Sequence, residues 1–474
     1  MSLTWHQRLA LALACAAAVG VHAASHAQPT ALRTDSRTDS RTADPAAAAS
    51  ATLSFTRALD AALSYDAQFM AAGYEREAVR AGVAVARASL LPTLNLSASS
   101  GRTTGTRELP NALGQRTTLD LDYRTPQTAL QLRVPLFNYE SLSRYRQAMA
   151  QSGAAEALLQ LRRAELLERL GLAYLQGILA EETVALTLLQ LEWLEAQRDR
   201  AAQRLQRGEG SRIELADAVA QLSVAQARLL DARDVASAER HNLARITGID
   251  GALLPKVGSE IQPAALVPSE LAQWHTIAAN ANPGIRTREQ VVEAARLAVQ
   301  RNLAGHLPRL DLVASHSRSS NDSTATTNQV SNLSSVSLQF NLPLFSGGGV
   351  EAGVRQAQLE RLRVEAELTQ ERRNVEQEVQ RQYLVASKGG ERIAFFRQAV
   401  ASSELMLEGL TRGVAAGLRT HADVMEAGAK LQLARRDLAQ ARVEYLLARL
   451  RLHSLSGLAV NEAALDLERQ FGAH

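Results

Sequence analysis

The sequence predicts a mainly α-helical chain with a small membrane β-component, organised as a two-fold internal repeat. Three observations carry this. The phrase TALQLRVPLFNYESL (Thr128–Leu142) returns as SVSLQFNLPLFSGGGV (Ser335–Val350), with Pro135 and Pro343 208 residues apart. Each copy alternates apolar and polar residues as far as Pro-Leu-Phe and then changes to a helical period. Aromatic residues make up only 4% of the 474, while Ala, Leu, Gln, Arg and Glu dominate, which is the usage of long helices.

The N-terminus reads as an export signal over residues 1–27. Arg8 is followed by the apolar run Leu9–Val21, too short to span a bilayer as a helix, and by small-residue cleavage sites after Ala23 and Ala27. The cut is expected after Ala27. Cys15, the only cysteine, leaves with the signal, and Ala12-Leu13-Ala14 before it is a poor match for lipid attachment. The mature chain then has neither disulfides nor thiol chemistry. No later uninterrupted apolar run of about 18 residues occurs, so no transmembrane helix is expected. Residues 28–50 are low-complexity, with TDSRTDSRT at Thr34–Thr42, and have almost nothing to bury. A formal charge of +3 leaves no footprint for nucleic acid.

The first repeat spans 51–250. Phe55, Leu59, Ala62 and Leu63 begin a helical pattern that runs through Val79, Val83 and Ala86 and stops before Pro92. Leu94, Leu96 and Ala98 alternate with Asn95, Ser97 and Ser99, giving a strand. A polar loop is expected over 102–124, then a second strand with Leu130, Leu132, Val134 and Leu136 on one face. A long helix follows Asn138 to about Gln206. Its seam of Leu166, Leu170, Ala173, Gly177, Ala180, Val184, Thr187, Leu191 and Leu194 steps by four and three, as a heptad does. At about 1.5 Å per residue it measures roughly 100 Å. Gly208-Glu209-Gly210-Ser211 breaks it, with Ser211 as N-cap, and a return helix runs to Ile246.

Residues 251–268 form a Gly/Pro-rich connector, and 269–457 repeat the order. A helix precedes Pro308, 216 residues after Pro92. Two strands flank a polar loop at 319–332. A long helix from Val350 turns at Gly413–Gly417, and a last helix covers 420–456. Residues 458–474 read as a loosely attached tail. Three glycines, Gly347, Gly348 and Gly349, resemble a phosphate loop only superficially. No Lys-Ser/Thr follows them, and a sharp strand-to-helix turn accounts for them better. Scattered histidines give no metal-ligand spacing, no nucleophile elbow appears, and Trp193 and Trp274 fall in helical patterns as packing residues. The sequence gives no sign of an enzyme or a cofactor.

Four strands of about ten residues behind an export signal suggest an outer-membrane barrel, yet single-chain barrels begin at eight strands. Open edges are not tolerated in lipid. Three copies repair this with twelve strands, and their long helices continue the barrel into the periplasm as a conduit.

The duplicated strand-to-PLF-to-helix junction, together with the tips Gly208…Glu214-Leu215 and Gly417…Asp423-Val424, resembles the TolC family of outer-membrane channel proteins. The resemblance covers nearly all of the mature sequence. It implies a homotrimer with a twelve-stranded barrel in outer-membrane lipid and an α-helical tunnel in the periplasm. Within the family the chain is most similar to outer-membrane components of type I secretion systems. That implies an unfolded, RTX-toxin-like protein substrate, a membrane-fusion adaptor and an inner-membrane ABC transporter that supplies the energy. By motif position, Asp423 and Glu426 correspond to the acidic pore constriction. Arg419 and Glu214 correspond to a gate latch, and Gly208, Gly210, Ser211, Gly413 and Gly417 to the helix-tip turns that meet the adaptor. Pro135, Phe137, Pro343, Phe345, Gly347, Gly348 and Gly349 form the junctions. Acidic rings of this kind favour cations and raise carboxylate pKa values. Ile213 stands where the family has Thr or Ser, and lacks that hydroxyl. Charges near a helix start also serve as caps or on solvated faces. The same fold as a drug or metal efflux outlet, and a soluble coiled-coil protein, are the alternative readings.

Overall fold

The computed structural model describes residues 52–110, 114–255, 263–323, 326–457 and 460–470. The export signal, Cys15 and the low-complexity lead lie outside them.

Two helices open the fold, α1 (Phe55–Tyr65) and α2 (Ala67–Ala88), where periodicity suggested one. The break is Asp66, whose carboxylate accepts the Phe69 N–H at 2.8 Å and pairs with Arg169 at 3.0 Å. Periodicity cannot register this, because a local side-chain-to-backbone bond competes with helix continuation. The same break returns 216 residues later, between α5 (Leu271–Ala281) and α6 (Pro283–Leu303). There Asn282 accepts from Gly284 and Ile285 at 2.8 and 3.1 Å, and Pro283 starts the helix. The duplication therefore extends to the caps.

The strands β1 (Thr93–Pro110), β2 (Arg116–Asn138), β3 (Arg309–Ser323) and β4 (Thr326–Asn341) form one antiparallel sheet in that order. They are longer than the ten residues expected. Pairing continues through both segments read as polar loops, from Arg102↔Arg124 to Pro110↔Arg116 and from Ser319↔Ser331 to Ser323↔Thr326. Past the apolar belt both faces are polar, so the period-two signal vanishes while the ladder still satisfies the backbone. Arg102 grips Asp122 across β1 and β2 with two 2.8 Å hydrogen bonds.

Register sorts the two faces. Leu94 sits opposite Leu132, Leu96 opposite Leu130, Leu312 opposite Leu338 and Ala314 opposite Val336. This face forms an exposed apolar belt, with Leu96 72% and Phe340 65% exposed. The opposite face carries Asn95, Gln131, Arg133, Asp311, Ser315 and Gln339, and Arg133 pairs there with Asp311. An apolar belt backed by a polar face is the pattern of a lipid-facing barrel wall. A bulge between Pro135 and Phe137 corrects one expected position. Leu136 is the extra residue, and Phe137, opposite Leu310, continues the belt after Val134. Neither β1 nor β4 has a partner on its outer edge among the described residues.

Two long helices, α3 (Tyr139–Gln206, 68 residues) and α7 (Gly349–Ala415, 67 residues), leave the sheet. Each returns through a shorter helix, α4 (Arg212–Thr247) and α8 (His421–Leu455). Near the sheet the packing order is α2–α3–α6–α7; towards the tips it is α4–α3–α8–α7. Where the two layers meet lies the main core. Leu166, Leu170, Tyr174 and Ile178 of α3 pack there with Phe55 and Leu59 of α1 and with Tyr445, Leu446 and Leu450 of α8. Trp274 is likewise buried, at 1% exposure, in a second cluster with Val379 and Leu452. Despite the absence of an uninterrupted apolar run, α3 does hold an 18-residue window of mean hydropathy 1.3, long and apolar enough to cross a membrane. Its Leu166–Ile178 stretch is the spine of the main core.

The C-terminal segment is not loose over its described part. Residues 460–470 form α9, with Ala463, Ala464 and Leu467 in the main core. Thr56 donates to Glu468 at 2.8 Å. Arg449 donates to both oxygens of Asp466, at 2.9 and 3.1 Å, and to the Ala264 carbonyl at 2.7 Å. Burial opposes a charge on Asp466. His453 and Arg449 outweigh it and hold the carboxyl down at about 2. With His453 Nε2 as far as 3.4 Å away, the two-pronged arginine is the main anchor.

Candidate functional site

The first tip is a tight reversal between α3 and α4. Gly208 takes φ +79°, and the Glu209 and Gly210 N–H groups donate to the Arg204 carbonyl at 2.9 and 3.2 Å. Only glycine adopts that left-handed conformation without strain. Ser211 caps α4, accepting from Ile213 at 3.0 Å and Glu214 at 3.3 Å. The second tip repeats the design. Gly417 takes φ +75°, and Leu418 donates to the Gly413 carbonyl at 2.9 Å. The Arg419 side chain lies against Gly413, where an added Cβ would come within 2.9 Å of Arg419 Cγ.

The charged tip residues divide differently from the family pattern. Asp423 closes a capping box: its Oδ2 accepts the Thr420 N–H at 3.0 Å, and its own N–H donates to Thr420 Oγ1 at 3.3 Å. These two hydrogen bonds hold its carboxyl below the usual range, so in the single chain its pKa is lowered, not raised. Glu426 pairs with Lys430 one turn on, at 2.6 Å. Arg419 and Glu214 do not meet within the chain; neither is in an ion pair among the described residues. Arg419 acts on Asp423, and Glu214 acts on His421. Glu214 Oε2 is shielded from solvent with no hydrogen-bond partner.

His421 is the tip residue that sequence reasoning passed over. It opens α8 at the position that Arg212 holds in α4. Burial and the nearby Arg204 and Arg200 push its pKa below the ordinary value, against the pull of Glu214. A second missed element lies nearer the core. Gly428 of α8 faces the Trp193 ring so closely that a Cβ would stand 2.4 Å from Cη2. Around this contact, Leu194, Leu222, Ala225 and Met425 form a buried cluster joining α3, α4 and α8. Between it and the main core lies a groove of about 760 Å³ lined by Thr183, Thr187, Gln190, Arg228 and Gln432.

At the other end, the duplicated phrase builds two different junctions. In the first, β2 runs unbroken through Pro135 and Phe137 to Asn138, which caps α3 by accepting the Ser141 N–H at 3.0 Å. Pro135 lies past Thr93↔Arg133, the last rung with β1, so its missing N–H costs no bond on that side. In the second, β4 stops at Asn341. Pro343 and Phe345 follow in irregular chain, and Gly347 and Gly348, at φ +60° and +77°, turn into α7 at Gly349. Phe345 is 88% exposed. Among the described residues no cluster of His, Cys, Asp and Glu could hold a metal ion.

Similarity to known proteins agrees with this architecture. The profile of the family described as "Outer membrane efflux protein" matches residues 58–249 and 274–458. The alkaline protease secretion protein AprF of Pseudomonas aeruginosa is 33% identical over 86% of this chain and 84% of its own. The proteases secretion protein PrtF of Dickeya chrysanthemi is 31% identical over 87% and 90%. Protein CyaE of Bordetella pertussis, to which the length and the N-terminal sequence point, is 28% identical over 66% and 65%. The crystal structure of the channel protein CusC superposes with a TM-score of 0.75 at 17% identity, covering 86% of this chain and 93% of that one. The belted sheet, the long helical hairpins and these matches place the chain in the outer membrane efflux protein family, the TolC-like channels of the outer membrane.

Proposed function

We propose that three copies of this chain form the exit duct of a type I secretion system, through which an unfolded protein passes. The observation that carries the channel is the sheet. It is four strands wide, has an exposed apolar belt, and leaves β1 and β4 unpaired. Edges of this kind in lipid call for neighbouring copies, and three supply twelve strands. The helices, at roughly 100 Å, extend far beyond a hydrocarbon core of about 30 Å. A membrane-fusion adaptor and an inner-membrane ABC transporter provide the drive. The protein substrate is favoured by AprF and PrtF, both named as protease secretion proteins. The likeness to BepC, named as an efflux protein, at 28% identity supports small-molecule efflux less strongly.

In this reading the tips at Gly208 and Gly417 form the periplasmic gate. Asp423 and Glu426 line it, and an Arg419–Glu214 latch forms between neighbouring chains, since it is not made within one. The junctions at Pro135 and Pro343 mark the periplasmic boundary of the membrane. A strain lacking the gene is expected to retain a large protein normally found in the medium, with small-molecule resistance unchanged. Normal secretion together with lost resistance to drugs or metals would assign the duct to efflux instead.

A further inference from the structure

The apolar belt and the polar face of the sheet meet the helices at a cavity of about 650 Å³. Arg144 of α3, Arg301 of α6 and Arg309 of β3 line it, with Glu140, Asn341 and Ser346. Arg309 and Asn341 are cross-strand partners on the polar face, opposite in phase to Leu310 and Phe340 of the belt. The cavity therefore opens on the water-facing side of the wall. Glu140 is the one carboxylate among its lining residues, and it is shared: Arg144 reaches it at 3.0 Å, and Arg309 pairs with its other oxygen. Arg301 is in no ion pair among the described residues. Three arginines against one glutamate leave two positive charges per chain in one concavity. Above it the polar face is uncharged as far as Ser99, Gln127, Ser319 and Ser331, apart from Arg133 and Asp311, which neutralise each other.

We propose that this cavity is an anion-binding site at the mouth between barrel and tunnel, taking clustered oxyanions, whether phosphates or the carboxylates of an acidic stretch of exported polypeptide. Guanidinium groups present forked donors matched to oxyanions and keep their charge at any physiological pH. The half-exposed Arg144 and Arg309 keep donors free beyond those given to Glu140. Three copies around one lumen would set a positive collar where field lines are concentrated by low-dielectric walls. The collar, though not the site within each chain, rests on the trimeric channel proposed above.

The test uses the purified full-length protein in planar bilayers, with sodium tripolyphosphate or hexaglutamate added from either side. Current block from the barrel side by either probe is expected, and the stronger blocker identifies the natural oxyanion. Arg301→Gln should raise the blocking concentration about tenfold, the loss of one charge-assisted bond. Glu140→Gln releases Arg144 and Arg309 and should lower it by about as much. A structural role alone would not move the two variants in opposite directions. Conducting trimers that neither probe blocks, or variants that shift together, overturn the anion site. Protein that forms no conducting trimer overturns the channel reading instead.

Discussion

Single side chains at the tip carry opposed duties. Asp423 is the family's constriction residue by position, yet its carboxylate is engaged by Thr420 as a cap and held in its charged form. His421 is set the other way, with its pKa lowered by burial and by Arg204 and Arg200 of α3, while Glu214 of α4 opposes them. A histidine whose pKa is lower in the closed tip than in water binds fewer protons there. The closed tip therefore loses stability as pH falls below about 6.5. Asp423 keeps its charge across that range. Single-channel conductance is expected to rise between pH 7 and pH 5, and the rise should disappear in His421→Asn. An unchanged pH step in that variant would remove His421 from the gate.

At the scale of elements, the second hairpin is fastened to the first at two heights. One is the main core around Tyr174 and Tyr445; the other is the Trp193–Gly428 contact, with a polar groove between them. Gly428→Ala places a methyl inside the indole and should cost about 2 kcal/mol of overpacking. Trp193→Ala should cost about 3 kcal/mol as a cavity. Because the alanine then meets no ring, adding Gly428→Ala to Trp193→Ala should cost almost nothing more. Thermal unfolding of the four proteins measures this coupling, and additive losses would show that the two residues do not depend on each other. Sequence periodicity placed Trp193 in the packing seam correctly. It had no means of pairing it with a glycine 235 residues away.

For the whole molecule, the free edges of β1 and β4 determine what assembly must do. Ser97→Cys combined in turn with Ser331→Cys, Ser335→Cys or Gln339→Cys should give chain-to-chain disulfides in one register, seen as ladders up to three chains on non-reducing gels. The mature chain has no cysteine of its own if the signal is cut after Ala27. Failure of every pair to link chains would leave the edges without the partner proposed for them.

Sequence by itself determined the order of elements, the duplication, the belt residues Leu94, Leu132, Leu312 and Phe340, and the tip turns at Gly208 and Gly417. These are local matters: periodicity, turn chemistry and repeat spacing are written in neighbouring residues. Tertiary structure decided what depends on distant partners. It broke the first helix of each repeat at Asp66 and Asn282, where a cap outcompetes continuation. It carried the strands through their polar halves, where pairing replaces pattern. It made Phe137 and not Leu136 the belt residue, because a bulge shifts phase without a sequence mark. It docked α9 through Arg449 and Asp466. It also gathered Arg144, Arg301 and Arg309, far apart in the chain, at the junction where the duplicated phrase begins its helices. Charge balance at a site is a sum over elements, and only the fold performs it.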